Sequence, residues 1–309
     1  MTQTENMKKG IFFAVLTALI SGFSIYYNKQ VIVTGIDPLI FNITHNGGVA
    51  LVLSFLILFS DRRKVLSGMR FSQWKKLAII GLVGGSLPFM LYFEGLRSVS
   101  AVNADLIHKT LFVWVALMAI PLLGEKLNIR QTAGYVLILM SNLFIGGFHG
   151  FQANYGELLI LLATLLWSAE NIIATVALKN TESEIVAWGR MFFGTIFLLA
   201  ASLVLNKTGL LFSLPAEYIL PLTVSTLLLA GYVLTWYKAL RYAPATVVTS
   251  ALVLATPVTN ILSSAANHQL PVAGPQLFNI FFTFTGVALI TVFLSRKRNS
   301  EVNPDLLSK

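Results

Sequence analysis

Asp105, His108 and Lys109 stand three and four residues apart within an apolar stretch, a spacing that sets both basic groups one helical turn beyond the acid. A carboxylate, an ammonium and an imidazole that titrates near neutrality are equipment for proton transfer or for holding a charged solute. Asp105 and Lys109 can also simply neutralise each other. His45 belongs to a second apolar stretch at a similar depth, so the four groups are expected to line one outward-half cavity, with His45 and His108 as proton-relay candidates. A second constellation pairs Glu170 and Arg190 across a short turn at residues 179–184. At about 1.5 Å per residue the two lie at one depth, which suits either a staple between helices or a pair that one partner leaves to bind a solute.

Aromatic and amide side chains accompany these charges. Trp167, Trp188, Tyr232 and Trp236 fall within apolar stretches, as candidates to wall a pocket for an apolar or cationic group, and Asn171 offers neutral polar contacts. Pro88 and Pro257 interrupt the helical hydrogen-bond ladder at interior positions and are hinge candidates. No combination reads as catalytic. No cysteine is present, which excludes disulfides, thiolate metal sites and cysteine nucleophiles, and no cofactor or metal is expected.

The elements that must position these groups are membrane spans. Of 309 residues 56% are hydrophobic and 11% charged, with a mean hydropathy of +0.75, too oily for a soluble enzyme. Ten apolar runs are read at 11–33, 38–60, 77–97, 101–123, 131–148, 157–177, 185–205, 218–238, 245–267 and 275–295, each able to cross a hydrocarbon core of about 30 Å. A charge near the bilayer centre costs about 2.5–3.5 kcal/mol, so each ionisable group within a span must face a partner or a watery cavity. The net charge of +9 comes from basic residues that bracket spans, which indicates orientation and not nucleic-acid binding. With the N-terminus inside, seventeen Lys and Arg fall on the cytoplasmic side and three, Lys29, Arg97 and Lys207, outside, placing both termini in the cytoplasm.

Five spans per half would set the halves inverted to each other. Glu94-Gly95-Leu96-Arg97-Ser98-Val99-Ser100-Ala101 closes the third span as Lys238-Ala239-Leu240-Arg241-Tyr242-Ala243-Pro244-Ala245 closes the eighth, and the same offset sets His45 against Arg190. The fold class expected is therefore an all-α polytopic membrane protein, ten transmembrane helices as two inverted five-helix repeats, residues 1–150 and 151–309 with a cytoplasmic tail.

With Gly95-Leu96-Arg97, Ala239-Leu240-Arg241-Tyr242, Pro121-Leu122-Leu123-Gly124-Glu125-Lys126-Leu127 and Leu166-Trp167-Ser168, this organisation resembles the EamA-type branch of the drug/metabolite transporter superfamily over essentially the whole chain. The chain departs from that pattern at Ile20-Ser21-Gly22, where a tryptophan is usual, at His45, where an arginine is usual, and at Asn267-His268-Gln269, where an acid is common. The resemblance implies a secondary active transporter in the cell (inner) membrane, exporting small metabolites such as amino acids by alternating access, with proton coupling as an option. In agreement, the chain has no G-x-x-x-x-G-K-[ST] phosphate loop. The partners expected are a small-molecule solute and the lipid bilayer, with no nucleic acid and a homodimer as an assembly to test. The competing classes are a membrane-embedded enzyme acting on a lipid and a non-transporting scaffold.

Overall fold

The computed structural model describes residues 3–141, 152–266 and 274–302. Within them all regular structure is helical, as a chain must be whose backbone groups are satisfied inside hydrocarbon. Among the described residues eight segments are long and apolar enough to cross a membrane. They are formed by α1 (Gln3–Ile32), α2 (Pro38–Leu58), α4 (Phe71–Gly85) with α5 (Leu87–Ser98), α6 (Ala101–Lys109) with α7 (Leu111–Leu123), α9 (Tyr155–Ala177), α10 (Ser183–Val204), α12 (Ile219–Tyr242), and α13 (Ala245–Ala251) with α14 (Ala255–Ala266). Short helices α3 (Arg62–Ser67) and α11 (Gly209–Phe212) lie in the connections. The runs at 131–148 and 275–295 fall on α8 (Ile129–Ser141) and α15 (Gly274–Val302), which pack on each other where Gly134 and Gly286 let the backbones meet. Residues 142–148, and Asn267-His268-Gln269, lie outside the described residues.

Three of the ten runs are interrupted, two of them beside the hinge candidates Pro88 and Pro257 and one where no break was expected. The third breaks at Ser86 (φ −130°, ψ −72°), two residues ahead of Pro88, whose ring and missing N–H prevent the helix from passing through. The fourth changes course at Thr110, between Lys109 and Leu111. The ninth passes through a tight 3₁₀ turn at Leu252–Leu254 just before Pro257. Both prolines thus stand at helix starts, where a missing N–H is tolerated.

Helices from the first 150 residues pack mainly on helices from the remainder. α1 runs along α12 and touches α14, α5 runs along α9, and α2 lies between α10 and α12. α4 crosses α10 closely, where a side chain on Gly85 or on Gly194 would collide with the other helix's backbone. Large apolar side chains such as Phe12, Leu51, Phe55 and Leu117 are exposed on the outside of the bundle, the surface that lipid covers.

Candidate functional site

The glycine crossing brings Arg190 of α10 and Glu170 of α9 beside Gly84, just before the break at Ser86. Pro88 has no N–H to offer the Gly84 carbonyl four residues back, and Trp167 Nε1 donates to that carbonyl instead at 2.9 Å. Asn46 Nδ2 donates to the Gly85 carbonyl at 2.7 Å. The helix break is thus held open by side chains from two other helices, which is how irregular backbone survives at membrane depth.

At this level helices α1, α2, α5, α9, α10 and α12 and the α6–α7 junction line a central cavity. Its polar end is a three-helix network. Tyr237 of α12 donates its hydroxyl to Glu170 Oε1 at 2.5 Å and accepts from Arg190 Nη1 at 3.5 Å, while Arg190 Nη1 and Glu170 Oε2 stand 3.9 Å apart. Both charged side chains are at most 4% exposed. The Arg190 guanidinium also lies 5.7 Å from the Phe89 ring centroid and 5.9 Å from that of Tyr237, within cation–π range. Removing either Glu170 or Arg190 would strand the other's buried charge, a loss of about 3–5 kcal/mol in comparable pairs.

Asn171, one residue beyond Glu170, donates to the Trp167 carbonyl at 2.8 Å and accepts from Trp236 Nε1 at 2.9 Å, locking two aromatic walls together. Tyr232 stacks on Trp236, with centroids 5.8 Å apart. His45 meets the Ser225 carbonyl through Nε2 at 3.1 Å, and Ser225 Oγ donates to Asn28 at 2.7 Å, which ties α2 to α12 and α12 to α1. His108 packs its ring on Trp167 and Tyr92.

The cavity therefore joins what the sequence had suggested as two constellations: His45 and His108 share it with Trp167, Glu170, Asn171, Arg190, Tyr232 and Trp236. Three expected members are elsewhere. Asp105 and Lys109 pair within α6 at 3.3 Å, fully buried, and Lys109 Nζ donates to Ser21 Oγ at 3.0 Å from behind the cavity wall. Trp188 points away from the cavity, donates to Ser54 Oγ at 2.8 Å and packs on Trp74 and Phe192. Tyr237, Asn28 and Ser21 take part without having been singled out. The signal for the first was a hydroxyl within an apolar span beside Trp236.

Glu125 of the Gly-Glu-Lys-Leu motif has a structural role. Gly124 ends α7 in the left-handed region (φ 69°), and the Glu125 carboxylate then accepts from the backbone of Ala245 and Thr246 and from the Thr246 hydroxyl, capping α13. On the face that holds the N-terminus a separate recess gathers charge. Arg62 pairs with Glu182 at 2.8 Å and Glu184 at 3.3 Å, Lys238 pairs with Glu184 at 3.5 Å, and Lys9 donates to Tyr242 at 3.4 Å. Among the described residues no group of three or more metal-ligating side chains assembles.

Comparison with known proteins agrees with this architecture. A solved crystal structure superposes with a TM-score of 0.72 over 96% of this chain and 99% of that one, at 16% identity, a likeness of fold alone. An uncharacterized transporter of Archaeoglobus fulgidus is 26% identical over 225 residues, 71% of this chain and 77% of that protein. The uncharacterized transporter YoaV of Bacillus subtilis is 27% identical over 207 residues, 64% of this chain and 68% of its own length. The model of the EamA-like transporter family matches twice, at residues 8–147 and 154–292. This multi-pass membrane protein, matched in both halves over nearly all its length, belongs to the EamA-like transporter family.

Proposed function

We propose that the protein is a secondary active carrier that exports a small polar organic solute, of amino-acid size, across the cell (inner) membrane by alternating access. The observation that carries this reading is the Glu170–Tyr237–Arg190 network on the wall of a central cavity. It draws its members from α9, α12 and α10, so relative movement of these helices changes the environment of a charge that cannot be left unpaired. His45 and His108 on the same cavity are the groups for proton coupling.

The helix partners support two inverted five-helix repeats of ten spans in all. Shifting each helix to its counterpart in the other half exchanges the α1–α12 pairing with the α9–α5 pairing, and returns α2–α10 and α8–α15 to themselves. A pair of interlocked repeats produces this pattern. The excess of seventeen basic residues over three supports cytoplasmic termini.

The test compares intracellular and extracellular metabolites in cells making the wild type or Arg190→Ala at matched membrane abundance. A solute class that accumulates outside only with the wild type is the expected result. No difference across a broad panel would overturn the carrier reading in favour of lipid chemistry or a scaffold.

A further inference from the structure

The walls and the polar atoms of the central cavity are of different kinds, and together they describe a shape and a chemistry. Tyr92, His108 and Trp167 meet ring to ring, with centroids 5.7 Å apart for Tyr92 and His108, 5.0 Å for His108 and Trp167, and 5.4 Å for Tyr92 and Trp167. On α12 the rings of Tyr232 and Trp236 are inclined by only 13°. Surfaces of this kind favour a flat ring, through offset stacking and edge-to-face contact.

Four neutral polar atoms on lining residues are buried and hold no hydrogen bond: Ser24 Oγ, His45 Nδ1, Tyr92 Oη and His108 Nδ1. With Glu170 Oε2 and Arg190 Nε they make six of the twelve such side-chain atoms among the described residues, a concentration that packing alone does not explain. Each costs free energy unless a ligand or water supplies its partner. The two hydroxyls can donate or accept, and His45, which contacts the Ser225 carbonyl through Nε2, presents Nδ1 as an acceptor when neutral. The cavity therefore asks for a rim that carries both donors and acceptors.

The charges point the same way. Among the lining residues Glu170 and Arg190 balance each other, and Tyr237 already holds both. A net-charged solute would bring an unbalanced charge among aromatic walls, and a zwitterion would need both its charges set against the one Arg190 Nε and the one Glu170 Oε2 left without hydrogen bonds. A neutral ring needs neither.

Resting on the carrier reading, we infer that the transported solute is an uncharged flat nitrogen heterocycle of nucleobase size, stacked in the aromatic corner with its rim bonded to Ser24, His45, Tyr92 and His108. The experiment is counterflow with the full-length wild-type protein in liposomes of phosphatidylethanolamine and phosphatidylglycerol. The vesicles are preloaded with and then offered labelled uracil, adenine or hypoxanthine, and in parallel arms leucine, phenylalanine, lysine or glutamate. Counterflow of at least one heterocycle and of none of the amino acids is expected. Tyr92→Phe and His108→Phe, which keep a ring and remove a polar atom, are then expected to raise the half-saturating concentration about tenfold each. Amino-acid counterflow without heterocycle counterflow overturns this inference and leaves the carrier reading intact. Silence in every arm also overturns it, and the carrier reading is then decided by the cell comparison above. Should either variant fail to fold, the wild-type arms decide alone.

Discussion

Asp105 and Lys109 sit one turn apart on a single helix, 3.3 Å from each other, whereas Glu170 and Arg190 come from separate helices, stand 3.9 Å apart and meet through Tyr237 of a third. Both pairs are buried to within a few per cent, so both bear a desolvation cost of several kcal/mol per ion before any attraction is counted. Their reach differs. A pair contained within α6 forms whenever that helix forms and is carried along unchanged when the helix moves. A pair assembled from α9, α10 and α12 exists only while those three helices keep their present spacing, so it stabilises one arrangement of the bundle over others. Similar buried charge thus serves local neutrality in one place and global arrangement in the other.

The sharpest way to break that comparison is Arg190→Leu. It leaves the Glu170 carboxylate buried with Tyr237 alone, and a loss of about 3–5 kcal/mol is expected, read as an earlier thermal loss of the monodisperse peak of the solubilised protein. Flux is expected to vanish. Adding Glu170→Gln removes the stranded charge and restores most of the stability but not the flux. A double variant that recovers flux as well would reduce this network to a structural staple.

Trp167→Phe probes what holds the helix break open. The substitution keeps an aromatic ring but leaves the Gly84 carbonyl, abandoned by Pro88, without its donor, at an expected cost of about 1–3 kcal/mol. Flux should fall further than stability, because the break borders the cavity. Equal thermal stability of the variant and the wild type would mean that the Gly84 carbonyl finds another donor.

The double substitution Asp105→Asn with Lys109→Met sits lower on the scale. A buried pair exchanged as a unit for groups of similar volume is often neutral, so a change within about 1 kcal/mol and flux within about twofold of wild type are expected. Loss of flux in a stable double variant would contradict the local role of this pair and put Lys109, through Ser21, into the transport cycle.

What the sequence alone made legible followed from quantities that run along the chain. Apolar run length placed most of the spans, and the rise per residue put Glu170 and Arg190 at one depth. The azimuth of each helix and its neighbours are set by packing between segments distant in sequence, and here the reading stopped. Trp188 has suitable depth but faces Trp74 and Ser54, away from the cavity. His45 and His108 share a cavity with Arg190 only because glycines let α4 press on α10 and the chain turns at Ser86 and Thr110. Neither Ser86 nor Thr110 is a helix breaker by type, and Pro88 announces its break two residues late. Tyr237 escaped notice because a tyrosine near a span end usually marks the interface, and only the bundle reveals its hydroxyl turned to Glu170.

The smallest effect on stability is expected at the recess on the N-terminal face. Arg62, Glu182, Glu184 and Lys238 retain 21–38% side-chain exposure, and pairs of this kind contribute about 0.2–1 kcal/mol each and weaken with salt. Arg62→Gln should therefore shift the thermal transition by less than about 1 kcal/mol, and raising ionic strength should erase most of the difference from wild type. Yet these ties join the start of α3 to the α9–α10 turn and the first turn of α10, and that turn to the C-terminal part of α12, elements that separate if the bundle opens on that face. In the carrier reading, an ion pair present in one conformation and absent in the other sets their relative populations, and even 1 kcal/mol shifts that ratio about fivefold. Flux in Arg62→Gln is thus expected to change severalfold at low salt and to converge on wild type at high salt. A flux that stays at the wild-type value across that range would leave the recess without influence on the cycle and confine the moving charges to Glu170 and Arg190.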